Sequence, residues 1–269
     1  YDPALNFAGV IINKVASPRH REEVLAALEG MRLPILGVLP RDAAIEAPSR
    51  HLGLVPVEER ADAEATMERL AAQVNAHIDL DALISAAQAA PELDVIPWDP
   101  AAEVTAPTDH RPVVAVAGGR AFTFRYQETV ELLAAAGCQV EVFDPATDDR
   151  LPEGTAGIYL GGGFPEVHAA ALTSRAGLRR EIAEFAVSGG PVVAECAGML
   201  YLSDSVDATG MVGAIPGVAA MGPRLTLGYR RAMATRDGFY ARRGEEITGH
   251  EFHRTATQFP PGSEPGWAW

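Results

Sequence analysis

Two apolar, β-branched stretches near the start of the chain predict a pair of buried strands. They cover Phe7–Lys14 and Leu33–Leu39, and short apolar runs of this kind are typical of strands buried on both faces. Between them, Ser17 and Pro18 provide an N-cap followed by a proline at the first helical position, and the helix is expected to end at Gly30. A strand, a helix and a strand in this order predict a parallel βαβ unit.

Two helical patterns follow this unit, at Ala61–Asn75 and Leu80–Ala89. The next stretch, Pro91–Pro112, is rich in proline, alanine and acidic residues and lacks a hydrophobic period, which predicts a linker. The predicted organisation is a first domain, a linker and a second domain at residues 1–90, 91–111 and 112–269.

The second half of the chain repeats the alternation of apolar strands and amphipathic helices. Strands are predicted at Val113–Ala117, Gln139–Phe143, Ile158–Leu160 and Pro191–Glu195. One helix is expected to use Tyr126, Val130 and Leu133 as its apolar face and to end at Gly137, and a second helix is expected to begin at the cap Ser174. Further strands, with an antiparallel arrangement left open, are predicted at Arg224–Ala234 and Glu246–Thr255. The fold class is therefore α/β with a mainly parallel sheet.

The formal net charge of −14 changes the list of plausible partners. It argues against nucleic acid and against an anionic membrane surface, because neutralising phosphates requires clustered cations. No stretch is long and apolar enough for a membrane span, no signal peptide opens the sequence, and only two cysteines are present. We therefore expect a cytoplasmic protein.

The most informative pattern is an apolar strand that runs directly into Cys196 and is followed by Ala197 and Gly198. Small residues beside a cysteine permit the sharp strand-to-helix turn of a nucleophile elbow, although the glycine usual two residues before the nucleophile is Ala194 here. A thiol at the amino end of a helix is expected to have a lowered pKa. The competing interpretation is a buried core cysteine, which the small neighbours and the glycine motif described next disfavour.

A second motif, Tyr159–Glu166, is a strand that runs into the triple glycine Gly161–Gly163. By themselves such glycines predict only a tight turn. At the carboxyl end of a parallel sheet that also carries a cysteine elbow, however, their backbone N–H groups could hold an oxyanion. The two motifs together predict two of the three parts of an acyl-transfer site.

The third part, a general base, has no clear candidate in these residues. His250 and His253 lie three residues apart on a predicted strand, where they face opposite sides, so at most one could point at Cys196. A buried structural role is favoured for each, and no metal site is predicted. A Walker A loop is absent, because the only lysine, Lys14, follows no glycine-rich stretch. Asn13 could contact a nucleotide base, but an ordinary residue at the end of a strand is the favoured interpretation.

Motifs spread over nearly the whole chain resemble the cobyrinic acid a,c-diamide synthase family, which includes the hydrogenobyrinic acid a,c-diamide synthases. They are Gly9–Val15, Ser17–His20, Leu36–Arg41, Ser49–Leu54, Ala121–Phe124, Gly161–Glu166, Ala194–Gly198, Leu225–Tyr229 and Gly249–His253. The resemblance implies part of a P-loop-type, dethiobiotin-synthetase-like ATP-binding domain, followed by a class I glutamine amidotransferase domain.

The resemblance also implies an activity and its site residues. The activity would be amidation of the a and c side-chain carboxylates of cobyrinate or hydrogenobyrinate, with ATP and Mg²⁺ and with glutamine or ammonia as nitrogen donor. Cys196 matches the family's nucleophile. Gly162, Gly163 and Ala197 match the positions that bind glutamine and its oxyanion. A homodimer is left open.

Two features of the family are expected to fall outside this sequence. Its P-loop, which supplies most of the contacts to ATP and Mg²⁺, precedes Tyr1, and the histidine partner of the cysteine follows Trp269. Residues 1–269 alone are therefore expected to show little or no activity. Two alternatives remain: a cobyric acid synthase-type amidotransferase, and a non-catalytic binding module with the amidotransferase fold.

Overall fold

The computed structural model describes residues 5–46, 55, 57–105, 107–238, 241–262 and 267–268. The chain divides into two compact units between Pro97 and Trp98. The motif Ser49–Leu54 lies outside the described residues.

The described residues of the first unit form a two-stranded parallel sheet and three α-helices. Its elements are β1 Val10–Val15, α1 Pro18–Leu28, β2 Ile35–Pro40, α2 Ala63–His77 and α3 Leu80–Gln88. Short 3-10 turns occur at Glu29–Met31, Ala43–Ile45 and Val57–Glu59. Strands β1 and β2 pair in parallel, with Val10 opposite Ile35, so the predicted βαβ unit is confirmed. The burial predicted for the first strand is wrong, because most of β1 is not buried and Ile11 is 40% exposed.

The start of helix α1 follows the prediction, whereas its end does not. The Ser17 side chain accepts a hydrogen bond from the backbone N–H of His20, and Pro18 occupies the first turn. The helix ends at Leu28, and Gly30 lies within the 3-10 turn that follows. The residue with left-handed backbone is Arg32, with φ 52°, so the expectation that Gly30 closes the helix is wrong. The 3-10 turn tightens the helix end, so the residue with left-handed backbone comes two residues after Gly30.

The second unit begins with a short helix and continues with a four-stranded parallel sheet and its helices. These elements are α4 Pro100–Glu103, β3 Val113–Ala117, α5 Gln127–Ala135, β4 Gln139–Phe143, β5 Thr155–Leu160, α6 Ala169–Ser174, α7 Ala176–Val187, β6 Val192–Ala194 and α8 Ala197–Leu202. The strand order is β4-β3-β5-β6, and every neighbouring pair is parallel. In such a sheet the carboxyl ends of all four strands lie along one edge, where ligands usually bind.

The core of the second unit lies between this sheet and helices α7 and α8. Leu178 and Ile182 of α7 are fully buried, as are Leu160 of β5 and Tyr201 of α8. The predicted second helix is therefore present as α7, although the residue before it is Arg175. The predicted cap Ser174 instead ends α6 and donates its hydroxyl to the carbonyl of Ala171.

A second sheet follows, and its strands are mostly antiparallel. Its elements are β7 Ser203–Val206, β8 Thr209–Gly210, β9 Ile215–Ala234, β10 Glu246–Gln258 and β11 Trp267–Ala268. Strands β9 and β10 form a long antiparallel ribbon, whereas β7 and β9 are parallel. The mainly parallel sheet predicted for this half is the four-stranded sheet. The antiparallel arrangement that was left open for the last two predicted strands is the one they adopt, as β9 and β10.

Residues 98–111 of the predicted linker belong to the second unit, where they include helix α4 and contact the end of α5. The backbone N–H of Thr108 donates to the carbonyl of Ala136 at the end of α5. Gly137 follows with φ 88°, and a Cβ atom at this position would lie 2.0 Å from the Thr108 carbonyl oxygen. Glycine is therefore required at the end of α5 both by its left-handed backbone and by the close approach of this segment.

Candidate active site

Cys196 lies directly before helix α8, two residues after the end of strand β6, in a strained backbone conformation. Its φ and ψ are 50° and −110°, a region that residues with a Cβ atom rarely adopt. Such strain persists only where the surrounding structure enforces it, and it is the mark of a nucleophile elbow. The residue is exposed to solvent, so the interpretation of Cys196 as a buried core cysteine is wrong.

The elbow is held against strand β5 and the triple glycine by backbone hydrogen bonds. The N–H of Glu195 donates to the Leu160 carbonyl over 3.0 Å, and the N–H of Gly198 donates to the Gly161 carbonyl over 3.0 Å. A Cβ atom on Gly198 would lie 2.2 Å from the Leu160 carbonyl oxygen. Glycine at this position therefore allows the elbow to approach the end of β5.

The triple glycine itself is packed against the segment Ala121–Phe124. A Cβ atom on Gly163 would lie 2.0 Å from the Ala121 carbonyl oxygen, and one on Gly161 would lie 2.7 Å from the Phe124 carbonyl oxygen. The Phe124 N–H donates to the Gly162 carbonyl over 3.1 Å. Two backbone segments thus lie closer together than side chains would permit, which fixes the direction of the Gly163 N–H group.

The backbone N–H groups of Gly163 and Ala197 both favour the Cys196 thiolate. They belong to the loop after β5 and to the first residue of α8, so the two groups approach Cys196 from two different elements. Preorganised N–H groups of this kind can stabilise an oxyanion that forms beside the nucleophile. Gly162, which was grouped with them from the sequence, pairs with Phe124 in the structure.

The pKa of the Cys196 thiol is raised above that of a free cysteine. Desolvation by the surrounding protein is the largest cause, the hydrogen bonds from Gly163 and Ala197 oppose it, and the negative charges of Glu195 and Glu166 add to it. The expected lowering by a helix dipole is therefore wrong. Helix α8 has only six residues, and its first N–H groups are outweighed by desolvation and by two nearby carboxylates.

Sequence patterns did not single out the polar pair beside the elbow. The Tyr159 hydroxyl donates to Glu195 Oε1 over 2.6 Å. Tyr159 lies on β5 opposite Val193 of β6, and Glu195 follows β6 immediately before the cysteine. The available signal was positional: polar side chains at the ends of two neighbouring parallel strands share one edge of the sheet.

The two downstream histidines lie on β10, as predicted. His253 is partly buried, and its Nδ1 is 2.9 Å from the Thr255 carbonyl oxygen, which agrees with the structural role favoured for it. His250 pairs with Tyr229 and is exposed, so the expectation of burial is wrong for this residue. Its side chain faces the solvent side of the ribbon.

Within the part of the chain that the structure describes, no group of three or more His, Cys, Asp or Glu side chains is placed to hold a metal ion. Among the same residues, no helix has the length and apolar character needed to cross a bilayer.

We expect alkylation of Cys196 by iodoacetamide to be slow at neutral pH. Only the thiolate reacts, and a raised pKa reduces the thiolate fraction at pH 7 and increases it as pH rises toward and beyond the pKa. The rate should climb about tenfold for each pH unit below that pKa, as followed by mass spectrometry of the peptide that contains Cys196. A rate that is already at its plateau at pH 7 would contradict the raised pKa.

Comparison with known proteins identifies the family. Residues 113–269, more than half of the chain, match the CobB/CobQ-like glutamine amidotransferase domain. The chain belongs to the CobB/CobQ-like glutamine amidotransferase family. Residues 1–55 match the CobQ/CobB/MinD/ParA nucleotide binding domain. The amidotransferase domain therefore contains both the elbow and the triple glycine, and the resemblance predicted from the motifs is confirmed.

The curated relatives of this chain that are described next are all named a,c-diamide synthases. The chain is 50% identical over 277 residues to a hydrogenobyrinate a,c-diamide synthase from Thermobifida fusca, which covers 100% of this chain and 58% of the relative. It is 44% identical to the protein of the same name from Streptomyces coelicolor, covering 99% and 61%. A cobyrinate a,c-diamide synthase from Synechococcus is 38% identical, covering 97% and 58%. The chain thus spans about three fifths of the length of these relatives.

Proposed function

We propose that this chain supplies the glutaminase site, and part of the nucleotide-binding domain, of an enzyme that amidates the a and c side-chain carboxylates of hydrogenobyrinate or cobyrinate. One observation carries the proposal: the strained Cys196 elbow, which the Gly198 N–H joins to the triple glycine through its hydrogen bond to the Gly161 carbonyl. The names of the relatives support the choice of acceptor, and the higher identities belong to the hydrogenobyrinate enzymes.

The proposed reaction at Cys196 is acyl transfer from the side chain of glutamine. The thiolate attacks the carboxamide carbon, and the carbonyl oxygen becomes an oxyanion that the N–H groups of Gly163 and Ala197 stabilise. Protonation of the nitrogen allows ammonia to leave, which produces a glutamyl thioester on Cys196. Water then attacks the thioester, releases glutamate and restores the thiol.

The raised pKa of Cys196 adds a requirement to this mechanism. At neutral pH the sulfur carries its proton, so a general base has to remove that proton as the attack begins. Within the described chain, His253 already contacts the Thr255 carbonyl and lies 4.0 Å from Glu251 Oε1. We therefore propose that the base is another residue of the protein, in keeping with the family resemblance.

The acceptor carboxylate has to be activated before ammonia can attack it, and ATP with Mg²⁺ would supply that activation. The described residues fit one part of a nucleotide site. At the carboxyl ends of β1 and β2 a pocket is lined by Asn13, Lys14, Arg41 and Asp42, among others. Lys14 and Arg41 provide positive charge suited to phosphate oxygens, and Mg²⁺ would enter with the phosphates. No glycine-rich stretch precedes Lys14 in the sequence.

The proposal is tested in the full-length protein with glutamine labelled by heavy nitrogen at its amide. The protein should release glutamate, and mass spectrometry of the macrocycle should show the label in the a and c amides. No label should enter the macrocycle without ATP. Hydrogenobyrinate and cobyrinate are compared as acceptors in parallel reactions. Label at other carboxylates would replace the proposal by a cobyric acid synthase-type activity. If the protein binds the acceptor but Cys196 does not react with glutamine, the alternative of a non-catalytic binding module would replace the proposal.

A further inference from the structure

The Glu195 carboxylate is placed where it can contribute to substrate recognition as well as to the local electrostatics. Glu195 directly precedes the nucleophile in the sequence, and Glu195 is exposed to solvent. It is also the larger of the two carboxylate influences on the Cys196 sulfur, ahead of Glu166. A negative charge beside a cysteine nucleophile opposes the thiolate that the reaction needs, so its position calls for a second explanation.

The carboxylate is anchored rather than free to turn away. The Tyr159 hydroxyl donates to Glu195 Oε1 over 2.6 Å, which is a short hydrogen bond to a charged acceptor. The backbone of Glu195 is fixed as well, because its N–H donates to the Leu160 carbonyl and its own carbonyl accepts from the Gly198 N–H. One carboxylate oxygen is therefore held by tyrosine, while the other can accept a donor from a ligand.

Glutamine offers the matching group. Its carboxamide and its α-ammonium group are joined by a short, three-carbon chain, so a ligand with its carboxamide at the sulfur places a cation within the electrostatic range of Cys196. We propose that Glu195, positioned by Tyr159, receives the α-ammonium group of glutamine and makes the site selective for a free α-amino acid. This inference rests on the proposed glutaminase function and names a recognition residue for it.

Binding of the ammonium group would also change the environment of the thiol. In the free protein, desolvation and the charges of Glu195 and Glu166 disfavour the thiolate. A cation paired with Glu195 cancels the larger of these two charges, so the bound substrate itself favours ionisation of the nucleophile. The site would therefore be least reactive when it is empty and would avoid attack on compounds that lack the ammonium group.

The test compares two reagents that differ only at the α-nitrogen. One is the chloroketone analogue of glutamine, in which a chloromethyl ketone replaces the carboxamide and the α-ammonium is retained. The other is the same chloroketone with its α-nitrogen acetylated. Both alkylate a thiolate with loss of chloride, so the ratio of their second-order rate constants at Cys196 reports recognition of the ammonium group and cancels changes in the reactivity of the unliganded thiol.

The full-length wild-type protein should prefer the free ammonium reagent. Glu195→Gln should lower this preference about tenfold or more, the size expected for loss of a charged hydrogen bond, and Tyr159→Phe should lower it less. Glu184→Gln, an exposed carboxylate on α7, is the matched control and should retain the wild-type ratio. Glu195→Gln should also react faster with neutral iodoacetamide at pH 7, which a purely structural role would not produce.

Two results would count against the inference in different ways. A Glu195→Gln protein that keeps the wild-type preference would refute the recognition role and leave the glutaminase proposal standing. A wild-type protein that iodoacetamide labels but that neither chloroketone labels saturably would refute the glutaminase proposal, and the inference with it.

Discussion

Replacement of Cys196 by alanine should abolish glutamine hydrolysis in the full-length protein, with a loss of at least about a thousandfold. The Cys196 sulfur is the nucleophile of the elbow, which the Gly198 N–H joins to the triple glycine, and no other atom at the elbow can form the thioester. Glutamate release measured with a coupled glutamate dehydrogenase assay is the readout. Amidation driven by added ammonia should survive, because it does not require the thioester.

The matched control for this substitution is Cys138→Ala, at the other free cysteine of the chain. Cys138 follows α5 and leads into β4, away from the elbow in the strand order, so glutamine hydrolysis should remain close to the wild-type rate. Equal losses in the two variants, or full activity in Cys196→Ala, would remove Cys196 from the proposed mechanism.

Gly163→Ala should have the second-largest effect, because a methyl group at this position cannot be accommodated. The new Cβ atom would lie 2.0 Å from the Ala121 carbonyl oxygen and 2.9 Å from the Phe122 Cα. Both contacts are with backbone, so the glycine loop has to move and the N–H donor leaves the sulfur. We expect glutamine hydrolysis to fall about a hundredfold to a thousandfold, the usual result of losing one oxyanion donor, with kcat affected more than KM.

Gly177→Ala separates loss of the donor from the general effect of adding a methyl group. Gly177 lies near the start of α7, where the nearest atom to a new Cβ is the Asp149 carbonyl oxygen at 3.5 Å. This is an ordinary contact, and alanine favours a helix more than glycine does. The control should keep its activity and its unfolding temperature. A Gly163→Ala protein with unchanged kcat would show that this N–H group does not stabilise the oxyanion.

Local patterns predicted the elements of the parallel sheet well. Strand β4 occupies the predicted residues Gln139–Phe143, and β3 occupies Val113–Ala117. Strand β3 lies inside the sheet, where a strand needs apolar side chains along its length, and this need is written in consecutive residues. Strand β4 lies at the edge, and its alternating polar and apolar residues Gln139–Val142 are a strand pattern of a different kind. The elbow was predictable for a similar reason, since Ala197 and Gly198 next to a cysteine are a local signature of close backbone approach.

Helix ends were less predictable than helices. Tyr126 was expected on the apolar face of α5, but it is the residue before the helix and is 57% exposed. Arg32 rather than Gly30 takes the left-handed conformation after α1. Where a helix stops depends on the chain that follows and on what that chain packs against, so a single cap residue is a weak predictor.

The chain's own residues by themselves determined the alternation of strands and helices, the cysteine elbow and the triple glycine, because each is encoded in side chains that are neighbours in sequence. Only the tertiary structure decided the electrostatics of the site. Tyr159 and Glu195 meet because β5 and β6 are neighbours in the sheet. The pKa of Cys196 rises because desolvation by neighbouring protein atoms and the charges of carboxylates from two segments act on one sulfur atom, and their combined effect depends on distances in space that the order of residues does not contain.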